Sequence, residues 1–245
     1  MNYFVTGRKL EANSISYIER NADELLMKAV FKREYTWILS TPQMGKSSLI
    51  KNTINKIETL KTFKTTYIDL SLDSDILKEE VFYPKLLSDI YSKFNLRFDN
   101  FKYEDKLEVY PGKAHQVFQE YLIDLPLNSD SGLIIFLDEI DSLFRDKIDK
   151  VFHINLFSTI RELYNLRGNI AKLGNLTFCL AGVRSPIKLL DDPYLTLYDT
   201  IQIKLGYIER EQYSCYELGF TNFNGNKTDL INSIYSWTNG HPYLT

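Results

Sequence analysis

The apolar run Trp37-Ile38-Leu39 gives way to Ser40-Thr41-Pro42-Gln43-Met44-Gly45-Lys46-Ser47-Ser48, and helical spacing follows at once with Leu49, Ile50, Ile54 and Ile57. A buried strand that ends in such a loop and passes straight into a helix commits the chain to a sheet with a helix N-terminus at the strand's end. That arrangement suits a phosphate. Backbone N–H groups of the loop can wrap its oxygens, and Gly45 lets the backbone approach closely. Lys46 then reaches the β/γ-phosphates and Ser47 ligates Mg2+. Gly-Lys-Ser is too short a string to establish this by itself, so the strand Tyr35–Leu39 and the helix Ser47–Glu58 must carry it. One departure stands out: such loops usually open with glycine, and here Ser40, with restricted dihedrals, holds that position.

Apolar strand-like runs alternate with helical stretches from residue 35 to about 205, which predicts an α/β fold with a mostly parallel sheet covered by helices. Five strands are expected, at Tyr35–Leu39, Thr65–Leu70, Gly132–Leu137, Leu176–Ala181 and Ile201–Leu205. Between the second and third, helices are expected near Ile76–Phe94 and Lys113–Ile123, separated by the polar, aromatic stretch Arg97–Tyr110, read as a surface loop. Asn21 with Glu24 has capping-box spacing for a helix from Ala22 to about Phe31, with Leu25, Leu26 and Val30 facing inward. Glu209–Leu218 and Lys227–Thr238 read as two short helices that begin a separate lid. The expected division is therefore 1–33 for an N-terminal strap and helix, 34–205 for the core and 206–245 for the lid. Gly240-His241-Pro242-Tyr243-Leu244 reads as the entry to another element, so the lid is expected to be truncated and the chain to be a fragment.

Hydrolysis of a bound nucleotide needs a carboxylate for Mg2+ and usually a second to polarise water, both at the end of a strand beside the loop. Leu133-Ile134-Ile135-Phe136-Leu137-Asp138-Glu139 supplies them, the five apolar residues fitting a strand buried on both faces. Asp138 would hold Mg2+ through water and Glu139 would act as general base. The competing reading is an acidic cap on a helix beginning at Ile140. Arg184 leaves the next strand, Leu176–Ala181, on the same edge, where its planar, always charged guanidinium could meet a γ-phosphate; its alternative is an exposed loop arginine. Arg161 and Arg167 are weaker candidates for an arginine acting on a neighbouring subunit, and a solvated helix face explains them better.

With these residues in view, the chain resembles the bacterial AAA-like branch of the STAND-type P-loop ATPases, relatives of the origin-recognition AAA+ ATPases. Four segments carry the resemblance: Tyr3-Phe4-Val5-Thr6-Gly7 with Ser16-Tyr17-Ile18-Glu19-Arg20, Gln43-Met44-Gly45-Lys46-Ser47-Ser48-Leu49, Phe136-Leu137-Asp138-Glu139-Ile140-Asp141, and Gly240-His241-Pro242-Tyr243-Leu244-Thr245. That branch tolerates loss of the first loop glycine. The resemblance implies an additional-strand P-loop sheet of order 5-1-4-3-2 with a helical lid. It implies ATP or ADP with Mg2+ as cofactors and adds Gln43, Met44 and Ser48 to the phosphate cradle. Tyr17, Ile18 and Arg20 would lie by the adenine, and Pro242 would contact the nucleotide from the lid. Read from its residues alone, Gly240-His241-Pro242 is a helix C-cap glycine and the proline that often follows one. Adenine rests on the resemblance, since no guanine-reading signal is recognisable either way.

Members of that group are generally switches: ADP holds a closed form, and exchange for ATP opens it, often with nucleotide-dependent homo-oligomerisation. The leading expectation is thus a slow, regulatory ATPase in bacterial signalling or defence, with sensor and effector domains or proteins as partners. A DNA-associated origin-type or mobile-element ATPase is the alternative, and a non-hydrolysing scaffold a third; intact Lys46, Ser47, Asp138 and Glu139 argue against the last. A small-molecule kinase fits Asp138-Glu139 and the trailing helices poorly. With a net charge of −3 and pI about 5.7, nucleic acid is not indicated, although a local basic patch would be compatible with it. The first residues lack a signal-peptide core and no segment approaches a spanning helix, so a cytoplasmic protein without membrane contact is expected. Cys179 and Cys215 read as two buried, reduced thiols, and three histidines without paired spacing make zinc a poor candidate.

Overall fold

Leu133 to Leu137 are each at most 1% exposed, so the strand they form is covered on both faces. In the computed structural model, which describes residues 3, 10, 14–71, 78–125, 131–144, 150–184 and 200–244, that strand is β3 (Gly132–Asp138). Its companions are β1 (Thr36–Leu39), β2 (Phe63–Asp69), β4 (Leu176–Gly182) and β5 (Ile201–Lys204). All pair in parallel, in the order β2-β3-β4-β1-β5. This is the expected order 5-1-4-3-2 read from the other edge, and the ends of β1, β3 and β4 emerge side by side. The helices are α1 (Asn21–Phe31), α2 (Lys46–Leu60), α3 (Glu79–Lys93), α4 (Asn100–Val109), α5 (Ala114–Asp124), α6 (Lys150–Asn165) and α7 (Lys227–Thr238), with short 3-10 segments at Ile140–Phe144, Ala171–Asn175 and Arg210–Gly219 among them.

Strand side chains alternate between two cores, as period-two geometry requires. Leu133, Ile135 and Leu137 join Trp37, Phe178 and Leu180 in packing on α3, α5 and α6 through Leu86, Phe118 and Phe157. Ile134 and Phe136 face the other way, with Ile38, Cys179 and Ile203, onto Leu26 and Val30 of α1 and Ile50 and Ile57 of α2. Each such buried side chain contributes about 1.5–3 kcal/mol, so truncating one strand residue loosens a whole layer. A separate small cluster, Ile208, Tyr213, Tyr216 and Ile231, holds the C-terminal segment together, with Tyr3 and Ile18 packed on it. No helix among the described residues is long and apolar enough to cross a membrane.

Several local expectations are corrected. Arg97–Tyr110 contains a helix, α4. The Asp99 side chain caps it by accepting from the Lys102 N–H at 3.3 Å. Tyr103 is its buried residue, so it carries no apolar stripe for a periodicity to show. At the start of α1, Asp23 accepts from the Arg20 N–H at 2.9 Å, and Glu24 instead pairs with Lys28, so the Asn21–Glu24 box does not form. Leu25 is 40% exposed, and Ala22, Leu26, Ala29 and Val30 make the inner face. The helix expected at Glu209–Leu218 is a 3-10 segment, Arg210–Gly219, and Cys215 within it is exposed; of the two cysteines only Cys179 is buried. Of the quoted motifs, residues 4–7, the start of the helix expected at Ile76, and Thr245 lie outside the described residues.

Candidate functional site

β1 hands the chain to Ser40–Gly45, and α2 starts at Lys46. Two of these loop residues take left-handed conformations, Gln43 with φ 64° and Gly45 with φ 89°. Ser40 does not, so a serine in the first position meets no backbone conflict. Its N–H instead donates to the Gly182 carbonyl at 3.4 Å and its hydroxyl to the Thr41 carbonyl at 3.0 Å. Leu49 N–H donates to the Gly45 carbonyl at 2.9 Å, so the N–H groups of Lys46, Ser47 and Ser48 have no helical acceptor one turn back. Donors of this kind at the positive end of a fifteen-residue helix make an anion cradle. Lys46, Ser47 and Ser48 are all buried against it, and the Ser48 hydroxyl accepts from the Leu10 N–H at 3.3 Å.

Asp138, at the end of β3, is fully buried. A carboxylate there is tolerated only with donors around it. Ser47 Oγ donates to its Oδ2 at 2.5 Å, the Tyr67 hydroxyl donates to the same oxygen at 2.7 Å, and the Glu139 N–H donates to Oδ1 at 2.9 Å. A serine oxygen touching a carboxylate at the mouth of an anion cradle is the donor set of a hard cation, so these residues fit Mg2+. Asp138 thus spends one oxygen on residues of α2 and β2 and the other on the N–H of the next residue. Tyr67 was not singled out from the sequence, because only the parallel pairing of β2 with β3 brings it level with Phe136.

Glu139 holds φ 57°, a conformation costing about 1–3 kcal/mol for a residue with a side chain. Its carbonyl accepts from the Ser142 N–H at 2.9 Å and the Ser142 hydroxyl at 2.7 Å, and that hydroxyl also contacts the Leu70 carbonyl. The strained turn is thus tied to the end of β2. Across the edge, Asp141 accepts the Arg184 N–H at 3.0 Å on Oδ1 and the Val183 N–H on Oδ2. Arg184 is exposed on the same edge as Lys46 and Asp138. Arg167 is not part of this group: it donates to the carbonyls of Arg33, at 2.8 Å, and Leu176, and its guanidinium lies 4.3 Å from the centre of the Tyr35 ring, at the strands' opposite ends.

The strap joins the loop to the C-terminal segment. Arg20 Nη1 donates to the Met44 carbonyl at 2.8 Å and to the Gly206 carbonyl at 3.2 Å. The Tyr17 hydroxyl donates to Asp23 Oδ1 at 2.6 Å, and burial together with that carboxylate pushes its pKa up. Asn52 of α2 donates to the same oxygen at 3.2 Å, so Asp23 and Asn52 anchor the strap behind the cradle; sequence reasoning had missed both. Ile18 packs in the C-terminal cluster. Pro242 is half-buried two residues past Gly240, whose carbonyl accepts from the Ile208 N–H at 2.8 Å. Its connection to the cradle runs through Ile208, Gly206 and Arg20, with no direct bond among the described residues.

Comparison with known proteins bears on the fold and the family. An uncharacterised WD repeat-containing protein of Synechocystis sp. is 26% identical over 251 residues, 99% of this chain and 20% of that protein. The chain therefore spans about a fifth of that relative's length. Among solved structures, a Walker-type ATPase of Pyrococcus abyssi superposes with a TM-score of 0.66 at 18% identity, covering 99% of this chain and 69% of the other. The ORC2 protein of Aeropyrum pernix, solved with ADPNP and ADP, gives 0.61 at 15%, covering 99% and 62%. The ORC1 protein of the same organism, solved with DNA, gives 0.57 at 10%, covering 95% and 59%. At these identities the likenesses show the fold. The family model described as AAA-like domain matches residues 5–245, and the chain belongs to that family.

Proposed function

We propose that this domain binds ATP with Mg2+ and hydrolyses it slowly, as a STAND-type regulatory switch in bacterial signalling or defence. The contact between Ser47 and Asp138 supports the reading, because it brings a serine hydroxyl and a carboxylate oxygen together at the mouth of the anion cradle, with Glu139 next in the chain. Gln43, Met44, Gly45 and Ser48 shape the cradle, and Lys46 binds the β- and γ-phosphates. Ser47 would hold Mg2+ directly and Asp138 through water, and the ion would neutralise charge on the phosphate oxygens. Glu139 accepts a proton from the water that attacks the γ-phosphorus, and Arg184 steadies the negative charge that builds there. ADP departs with the bridging oxygen. Tyr17, Ile18 and Arg20 flank the adenine side.

The switch would use three parts, 1–33 as strap, 34–205 as ATPase core and 206–245 as lid. The Arg20 bridge from Met44 to Gly206 supports coupling between nucleotide and lid. ATP and ADP move such a device only if they bind its two arrangements with different affinities, and Pro242 is the lid residue expected to report the difference. Partners are a second copy of the domain in the ATP state and sensor or effector domains or proteins, in the cytoplasm. A DNA-associated role is the second reading, supported by the likeness to an origin-recognition protein solved with DNA. Single-turnover ATP hydrolysis by the wild type, Lys46→Ala and Glu139→Gln tests the proposal. It predicts no tight binding in the first variant, and binding without turnover in the second; equal hydrolysis by all three would overturn it. Fluorescence anisotropy with duplex DNA, with and without ATP, separates the second reading.

A further inference from the structure

We infer that Asp141 is a positioning residue for hydrolysis, acting through Arg184; the inference rests on the ATPase reading above and extends it. Asp141 lies two residues beyond Glu139, yet both its carboxylate oxygens are directed across the sheet edge to the backbone at the end of β4, one to Val183 N–H and one to Arg184 N–H at 3.0 Å. The fold makes room for this carboxylate. A Cβ at Gly182 would stand 2.7 Å from Asp141 Oδ2, so any larger residue there would displace it. The same strand end faces the phosphate loop on its other side, where the Gly182 carbonyl accepts from the Ser40 N–H.

Residues 182–184 are therefore clamped between the loop and the turn that carries Glu139. A carboxylate receiving two N–H bonds is a firm anchor, stronger than neutral pairs because the acceptor is charged. Two consequences follow for catalysis. The backbone that launches the Arg184 side chain keeps a fixed distance from the Glu139 backbone. Any shift of the 139–144 segment is also passed to Arg184, so the base and the guanidinium address one phosphate together. Asp141 itself touches no reacting atom.

The test is a double-mutant cycle on ATP turnover and ATP affinity with Asp141→Asn and Arg184→Ala. Asparagine keeps the shape but offers one acceptor in place of two. Asp141→Asn is expected to lower kcat at least tenfold while the Kd for ATP changes less than twofold, and to have no further effect once Arg184 is alanine. Losses that multiply in the double variant, or an unchanged kcat in Asp141→Asn, would overturn the inference. Should Asp141→Asn fail to fold, Gly182→Ala provides the same test through displacement of the carboxylate, with the same expectation in both backgrounds. Wild-type turnover that requires Glu139 but is indifferent to this cycle would defeat the Asp141 inference alone, whereas wild-type protein without turnover would defeat the ATPase reading.

Discussion

The Ser47 hydroxyl and the Asp138 carboxylate, 91 residues apart in the chain, meet at 2.5 Å where the helix after β1 begins and β3 ends. The parallel sheet makes this meeting possible, because β4 alone separates the two strands and all three end on one edge. Replacing Asp138 by Asn removes the charge and keeps the shape. The Mg2+ concentration giving half-maximal turnover is expected to rise about 10–100-fold, the usual penalty for weakening a metal's supporting shell. A magnesium titration of ATP hydrolysis measures it, and an unchanged midpoint would remove Asp138 from the metal site.

Tyr67 shares Asp138 Oδ2 with Ser47. Tyr67→Phe deletes a hydrogen bond to a buried charge, which is worth about 1.5–3 kcal/mol. In a chain of this size that corresponds to a fall of about 3–12 °C in melting temperature. A thermal melt followed by circular dichroism checks it; no shift would mean that the hydroxyl is dispensable to the carboxylate.

Gly240, with φ 79°, lies against the backbone of Ile208 so closely that a Cβ would fall 2.1 Å from the Ile208 carbonyl oxygen. No side chain can rotate away from that clash. Gly240→Ala should release the C-terminal segment at a cost of about 1–3 kcal/mol. Hydrogen exchange should then quicken in α7 and Arg210–Gly219 while β1, β3 and β4 keep their protection. Uniform loss of protection would instead show that the segment and the sheet unfold as one unit.

The two cysteines should behave differently. Burial pushes the Cys179 thiol from an ordinary 9.0 up to about 12, and Cys215 is exposed. At pH 8 one thiol per chain should react with a disulfide reagent in the folded protein and the second only after unfolding. The Cys179 group binds its proton more tightly when folded. Its contribution to stability is therefore complete below about pH 9 and is lost as pH rises through about 12. Denaturant melts of the wild type and Cys179→Ala, compared between pH 7 and 10.5, should converge at the alkaline end; a gap that widens would reverse the sign.

The sheet and the centre of the candidate site are legible in the sequence because each is encoded locally. Five apolar residues before Asp138-Glu139 announce a strand buried on both faces, and Gly45-Lys46-Ser47 between a strand and a helix announces the cradle. Tyr67 was not legible, since its role depends on which strand β2 pairs with and in what register. Asp141 could be quoted within a motif, but its task depends on the missing Cβ of Gly182, a residue 41 positions away. Helix α4 is hidden in the sequence because Tyr103 is the residue it buries, and the bridge that Arg20 makes from Met44 to Gly206 is hidden because its acceptors are main-chain carbonyls, which no side-chain pattern reports.

The most direct test of the central claim is titration calorimetry of the nucleotide-stripped protein with ATP, ADP and GTP in Mg2+, beside Lys46→Ala. The ATPase reading predicts saturable binding of ATP and ADP, much weaker binding of GTP, and loss of all three in the variant. Failure of the wild type to bind ATP, or equal affinity in Lys46→Ala, would contradict it.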